Sequence, residues 1–403
     1  MHPAAADFDP YTAAFAANPY PVYAALRESA PVFRSDSLDL TLVTRYRDIV
    51  RLPGDRRLGR DAAALSRDVP PSPDAGELPC YDRYVRVNLL ETEGDTHARL
   101  RRLLGAALSP QRVRGLAARV AAIADELVGR IEAGATVDFM AEIAEPLPVT
   151  VISELLGWPA HARDRLRPWS ARIVRLYEQD ADAADRQRAE TACREFAAML
   201  QELVEERRRR PRDDFISALA ARLDEPGGLS RDELIASCML LLNAGHEATV
   251  NAACNGFLAL LRHPPAMAAL AAGPALVGSA VEEMLRYDAP LHLFHRFVLE
   301  DVEVGGVTVR RGEKVGLLYG SGNRDPQAFA DPDRFDIGRL PNRHLSFGAA
   351  THFCLGAPLA RLELRTLFGV LTGGGRRWEL ANEPEYRTGL VFRGLQGLRV
   401  RAL

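Results

Sequence analysis

Leu345-Ser346-Phe347-Gly348-Ala349-Ala350-Thr351-His352-Phe353-Cys354-Leu355-Gly356-Ala357-Pro358-Leu359-Ala360-Arg361 is the stretch that decides the reading of this chain. A glycine-bearing loop runs into Cys354, and Gly356 and Pro358 then open an apolar, helix-compatible run through Arg365. The sulfur therefore falls at a helix N-terminus. Backbone N–H groups without intrahelical partners, and the positive end of the helix dipole, favour an anionic side chain there. The small residues Gly348, Ala349, Ala350, Gly356 and Ala357 leave room for a flat ligand to approach the backbone. A lone cysteine in an apolar segment is more often a small buried hydrophobe, so the weight of this reading rests on the rest of the chain.

The 403 residues are 47% apolar and 26% charged, with a formal net charge of −3, which gives no reason to expect nucleic acid as a partner. Met1 to Pro10 carries neither a basic n-region nor an apolar h-region, so a cytoplasmic protein that does not insert in a membrane is expected. The five cysteines, at 80, 193, 238, 254 and 354, lack the spacing of zinc sites and the density of a disulfide framework; free thiols are expected. Asp68 to Pro79, with four prolines and a glycine, reads as a surface loop and not a domain boundary.

Helical periodicity dominates from about Ser109 to Pro274, as in Val113 to Ala133 and Ala183 to Arg209. Strand-like alternation is confined to Pro31–Val43, Val298–Val309, Lys314–Tyr319 and Val391–Val400. A mainly α fold with a minor β lobe is expected. Ser230-Arg231-Asp232-Glu233 has the spacing of a capping box, and the next proline is Pro264, which allows a helix of about 32 residues, ~48 Å long. It is apolar nearly all round, as a buried central helix would be. Asn243, Glu247, Asn251 and Asn255 recur every four residues and argue against a membrane span; they make one polar stripe, either bonded to neighbouring helices or lining a wet channel.

The pattern Phe-Gly-x-x-x-His-x-Cys-x-Gly, followed by Leu-Ala-Arg-x-Glu, resembles the proximal loop of the cytochrome P450 superfamily, and the match extends from Asn18-Pro19-Tyr20 to Val391-Phe392-Arg393. The resemblance implies one triangular-prism domain over residues 1–403, helix-rich at about 90–290 and 355–372 and β-rich at about 30–60, 290–320 and 375–403. It implies haem b, with Cys354 as the iron ligand and Phe347, Gly348 and Gly356 shaping the loop. His97, Arg101, Arg296 and His352 occupy positions that resemble propionate binders.

Ala244-Gly245-His246-Glu247-Ala248-Thr249 looks like the oxygen-binding segment, with Glu247 as proton relay or, more plainly, the partner of a nearby arginine. The family's threonine position holds Ala248; Thr249 follows about 100° further round the helix. Glu283 and Arg286 match the family's Glu-x-x-Arg pair, with Arg334 or His344 expected as third partner. Leu241, Ala244, Leu291, His292, Phe294, Val391 and Phe392 are expected at the substrate, together with Ile173, Tyr177 and the loop from about Asp61 to Asn88. A basic cluster (Arg99, Arg101, Arg102, Arg112, Arg114, Arg343, Arg361, Arg365) suits an acidic electron donor.

The resemblance thus implies a monomeric monooxygenase, possessing no fused reductase, that takes dioxygen and electrons from a ferredoxin to oxidise a hydrophobic small molecule, as in secondary metabolism. Ala248 keeps peroxide-driven oxidation, oxidative coupling or an isomerase-like rearrangement open, and a non-catalytic haem protein is the third alternative.

Overall fold

A computed structural model describes residues 8–61, 65, 76–178 and 180–403. Most of the Asp68–Pro79 segment, and much of the expected substrate loop around it, lie outside the described residues.

The long helix forms over Arg231–Arg262 as its signals predict. Ser230 Oγ accepts the N–H of Glu233 at 3.2 Å and the Glu233 carboxylate accepts the N–H of Ser230 at 2.8 Å, which satisfies two donors that a helix start leaves unpaired. Helix Ala183–Arg209 also has its expected bounds, with a capping box built from Asp182 and Asp185. The expected Val113–Ala133 helix is instead two, Pro110–Gly115 and Ala117–Gly129. Helices Pro146–Leu156, Leu166–Val174, Val277–Tyr287 and Ala357–Thr372 pack with the long helix into one apolar core.

Among the described residues no single helix is long and apolar enough to cross a membrane; one sharply bent pair, Pro264–Ala272 with Pro274–Tyr287, passes by composition. The long helix is buried along most of its length by protein.

The strands are β1 Val32–Ser35, β2 Leu40–Val43, β3 Leu58–Gly59, β4 Thr136–Asp138, β5 Leu293–Val298, β6 Val302–Val304, β7 Val307–Val309, β8 Lys314–Leu318, β9 Trp378–Leu380 and β10 Arg399–Ala402. They form a five-stranded sheet in the order β1-β2-β8-β5-β3, a three-stranded sheet β4-β10-β9 and a hairpin β6-β7. In the larger sheet only β2 and β8 run parallel.

The expected strand Val298–Val309 breaks into the end of β5 and the hairpin, because Gly305 and Gly306, both at positive φ, form a two-residue turn. Val391–Val400 is strand only at its end. Its backbone lies against the long helix instead: a Cβ on Gly394 would overlap Asn251 Oδ1.

Candidate active site

Cys354 stands two residues before Gly356, the N-cap of helix Ala357–Thr372, and its N–H donates to the Phe347 carbonyl at 2.8 Å. Gly348, at φ 73°, turns the loop in a conformation that side chains resist. Cys354 opens onto a cavity also lined by Phe347, Gly348, His352, Gly356 and Leu359. Although its surface faces that cavity, protein surrounds the sulfur. Burial pushes its thiol up, and the N–H groups of Gly356 and Ala357 and the charges of Arg101 and Arg361 oppose this without overcoming it. Helix-end electrostatics therefore offset part of the cost of a thiolate, and a bound metal cation would offset more.

The loop is held from behind by buried polar bonds. Glu283 and Arg286, both fully buried, make two hydrogen bonds of 2.8 and 2.9 Å. Arg286 also donates to the carbonyls of Asn323, Pro332 and Arg334. The third side chain differs from expectation: Arg339 Nε reaches both Glu283 oxygens at 3.2 and 3.1 Å, whereas Arg334 contributes only its carbonyl.

His344 turns to the neighbouring acid, Glu282, at 3.0 Å. Arg361 and Arg365, on the helix that follows the cysteine, pair with that same carboxylate. Burial opposes ionisation of Glu282, but hydrogen bonds from His344 and Arg361 hold its pKa well below the usual range. Asn323 then bonds both the Leu345 N–H and Ser346 Oγ, joining this cluster to the first residues of the loop.

A cluster of nitrogen groups meets the same cavity. His97 and His352 rings lie against each other at a 40° tilt with centroids 4.3 Å apart, and Arg101 donates to the Phe353 carbonyl at 2.8 Å. His352 pairs with Glu93 at 3.0 Å. Burial, with the His352 charge beside it, pushes the His97 imidazole down to about 4, so it presents a neutral ring. His97 Nε2 has no hydrogen-bond partner among the described residues. Arg296 is buried with a bond to the His295 carbonyl, and Tyr319, which the sequence reading missed, lines the cavity beside it. Two guanidinium groups and an unpaired imidazole nitrogen, converging beside a sulfur, fit a flat metal macrocycle carrying two carboxylates.

The long helix supplies Leu241, Ala244, Gly245, Ala248 and Thr249 to the cavity. It continues as a regular helix through Gly245, which serves close packing: a Cβ there would lie 2.9 Å from Ile152 Cδ1. Glu247 does not line the cavity; its carboxylate takes a 2.8 Å bond from Arg387, which also bonds Asn251 Oδ1. The arginine-pairing alternative thus describes its geometry and the relay expectation does not, because the side chain leaves the helix toward the C-terminal segment. Leu291, Phe294, Val391, Phe392 and Tyr177 line the cavity as expected.

His292 does not line it. Its Nδ1 lies 3.0 Å from the Tyr23 hydroxyl, and burial pushes it down to about 3, so it belongs to the buried packing of the sheet lobe. Ile173 is buried in the helical core and also lies outside the cavity.

Two further residues escaped the sequence reading. Glu178 accepts the N–H groups of Leu390, Val391 and Phe392 at 2.9 to 3.3 Å, while Tyr177 stacks on Phe392. Glu363, on the helix after Cys354, lines the cavity with Oε2 unpartnered, and burial pushes its pKa up to about 8. The only sequence signal for it was its place in Leu-Ala-Arg-x-Glu.

A mostly helical scaffold that presents one cysteine, a cationic rim and an apolar helix face to a single cavity describes a haem-thiolate oxidoreductase. Comparison with known proteins agrees. The family model described as Cytochrome P450 matches residues 176–272 and 275–371. The vitamin D(3) 25-hydroxylase of Pseudonocardia autotrophica is 40% identical over 399 residues, covering 97% of this chain and 96% of its own. The 6-deoxyerythronolide B hydroxylase of Saccharopolyspora erythraea is 38% identical over 396 residues, 95% of each chain.

The solved structure of P450BioI in complex with hexadec-9Z-enoic acid ligated acyl carrier protein matches with a TM-score of 0.90 at 32% identity, covering 97% of this chain and 100% of that one. This chain belongs to the cytochrome P450 family, whose cofactor is haem held by a cysteine thiolate.

Proposed function

We propose that this chain is a monooxygenase that oxidises a mainly hydrophobic small organic molecule, working as a cytoplasmic monomer with residues 1–403 as one catalytic unit. One oxygen atom of dioxygen enters the substrate; the other leaves as water, with two protons and two electrons from a ferredoxin-type donor and its reductase. The observation that carries this reading is the joint lining of one cavity by Cys354 and by the small, apolar helix face of Leu241, Ala244 and Ala248. When bound with Cys354 as its thiolate ligand, haem b supplies the activation of dioxygen.

The chain supplies the rest. His97, Arg101, Arg296 and His352 would hold the two propionates, Tyr319 stands by Arg296, and the Glu283–Arg286–Arg339 cluster keeps the loop in shape. The apolar walls bind substrate and exclude water. Exposed Arg102, Arg114 and Arg343 make no ion pair among the described residues, and they stand on segments adjoining the cysteine loop or its helix, which suits an acidic electron donor. The vitamin D(3) and 6-deoxyerythronolide B hydroxylases among the relatives support hydroxylation of a mainly hydrophobic small molecule.

Ala248 favours a second reading, peroxide-driven oxidation or oxidative coupling, since the cavity wall has no hydroxyl at that position. Turnover with dioxygen and a ferredoxin system, set against turnover with hydrogen peroxide, separates the two. Ala248→Thr is expected to raise product formed per electron consumed under the first regime; a fall in activity there would favour the second. The ferrous–CO difference spectrum should show the red-shifted band of thiolate ligation and lose it in Cys354→Ala. Retention of that band in the variant would remove Cys354 from the site.

A further inference from the structure

Val391 and Phe392 line the cavity, yet they lie outside every helix and strand. Phe392 makes one isolated bridge to Leu291, the Val391 carbonyl accepts the N–H of His292 at 2.9 Å, and the N–H of Arg393 donates to the Pro290 carbonyl at 2.9 Å. The N–H groups of the segment turn elsewhere. Leu390 at 3.1 Å, Val391 at 3.2 and 3.3 Å to the two oxygens, and Phe392 at 2.9 Å all donate to the carboxylate of Glu178. Successive N–H groups of an extended chain point to opposite sides, so three that converge on one anion require a curled backbone.

Both partners are shaped for this contact. Gly389 stands at φ 139°, and a Cβ on it would lie 3.0 Å from the Glu178 carboxyl carbon, so a side chain there would push the carboxylate away. Glu178 follows Tyr177 in the connection between helices Leu166–Val174 and Ala183–Arg209. The Tyr177 ring stacks on Phe392 with centroids 6.2 Å apart and planes 14° from parallel, and it too lines the cavity. No arginine, lysine or histidine pairs with Glu178 among the described residues, so its bonding is directed at this backbone.

We infer that Glu178 is a positioning residue for substrate: by gripping the backbone of 390–392 it fixes Tyr177, Val391 and Phe392 as one wall, and so sets which hydrocarbon shapes the cavity holds. Apolar contact is non-directional and would let the segment slide, whereas charge-assisted hydrogen bonds fix both distance and direction. Without the carboxylate, three N–H groups lose their acceptor, and the cost of leaving them unpaired drives the segment to another path. The inference rests on the reading of this cavity as the substrate site.

The test uses the haem-loaded protein and two nitrogen ligands followed by the Soret shift on iron binding. Imidazole fills only the space at the iron; the chain of 1-dodecylimidazole lies along the apolar wall. Wild type is expected to bind the tailed ligand about 10-fold tighter than imidazole or more, as burial of a few methylenes requires. Glu178→Ala should weaken 1-dodecylimidazole about 5-fold or more while leaving imidazole within about 2-fold. Glu178→Gln keeps one of the two acceptor oxygens and should fall between. In a Val391→Ala, Phe392→Ala background, adding Glu178→Ala should change binding of the tailed ligand by less than about 2-fold, because its effect runs through those two residues.

Unchanged 1-dodecylimidazole affinity in both Glu178 variants overturns the inference. So does parallel weakening of the two ligands, a full Glu178 effect that survives in the double-alanine background, or a wild type that gains nothing from the tail. Should Glu178→Ala not retain haem, Glu178→Gln against wild type decides. These affinities are read without turnover, so failure of the monooxygenase reading, seen as a normal ferrous–CO band with no oxidation under either oxidant, is a separate result.

Discussion

Replacing Glu363 by glutamine should make the protein more stable at neutral pH, and the gain should grow with pH. The carboxyl is fully buried, one of its oxygens is unpartnered, and desolvation raises its pKa from 4.5 to about 8. Between those values the native state keeps a proton that the unfolded chain has released. Native stability therefore falls as pH rises from about 4.5, by ~1.4 kcal/mol per unit for this one group, and levels off above about 8. At pH 7 the accumulated penalty is ~3 kcal/mol.

Glutamine has nearly the same shape and does not titrate, so Glu363→Gln removes the slope and leaves only a constant offset. Urea unfolding of the haem-loaded wild type and variant between pH 5 and 8.5 should give curves that diverge as pH rises. An infrared carboxylic-acid carbonyl band should be present in the wild type at pH 7 and absent from the variant. Parallel pH profiles, together with no acid band, would refute the reasoning and place an unseen partner on Oε2.

The buried pair makes a contrast between two arginines. Arg339→Ala removes a charged donor from fully buried Glu283 and should cost ~1.5–3 kcal/mol, whereas Arg334→Ala, which keeps the carbonyl that Arg286 uses, should fall within ~0.5 kcal/mol. Equal denaturation midpoints for the two variants would contradict the assignment. Gly157 closes helix Pro146–Leu156 at φ 74°, and a Cβ there would overlap Asp214, which pairs with buried Arg207 at 2.5 Å. Gly157→Ala should cost ~3 kcal/mol or more, read from the same midpoints, from left-handed strain plus disruption of that pair.

Local signals in the sequence were reliable where the structure is decided locally. Ser230, Glu233 and Pro264 bound the long helix because capping and proline sterics act within a few residues. The glycines around Cys354 disclosed the loop for the same reason. What stayed hidden depends on contacts between distant segments.

The backbone of 391–398 is not strand because it packs on the long helix and hangs from Glu178, and no alternation of residues records this. Arg339 displaces Arg334 as the side-chain partner of Glu283 because the chain from 331 to 342 turns back on itself, a path that spacing does not encode. His292, which falls between the cavity residues Leu291 and Phe294 in sequence, points to Tyr23 instead. Glu363 stands in the sequence only as the last residue of Leu-Ala-Arg-x-Glu, and its burial depends on the helices packed around it.

The clasp of Glu178 on Leu390, Val391 and Phe392 bears on how such a cavity can change over evolutionary time. Glu178 itself does not line the cavity, and it lies 212 to 214 residues from the backbone that it grips. One substitution there would re-aim two wall positions together without altering any side chain that a ligand touches. A lineage can thus explore new substrates through a remote carboxylate, and a mutant library drawn only from cavity-facing positions would leave that route unsampled.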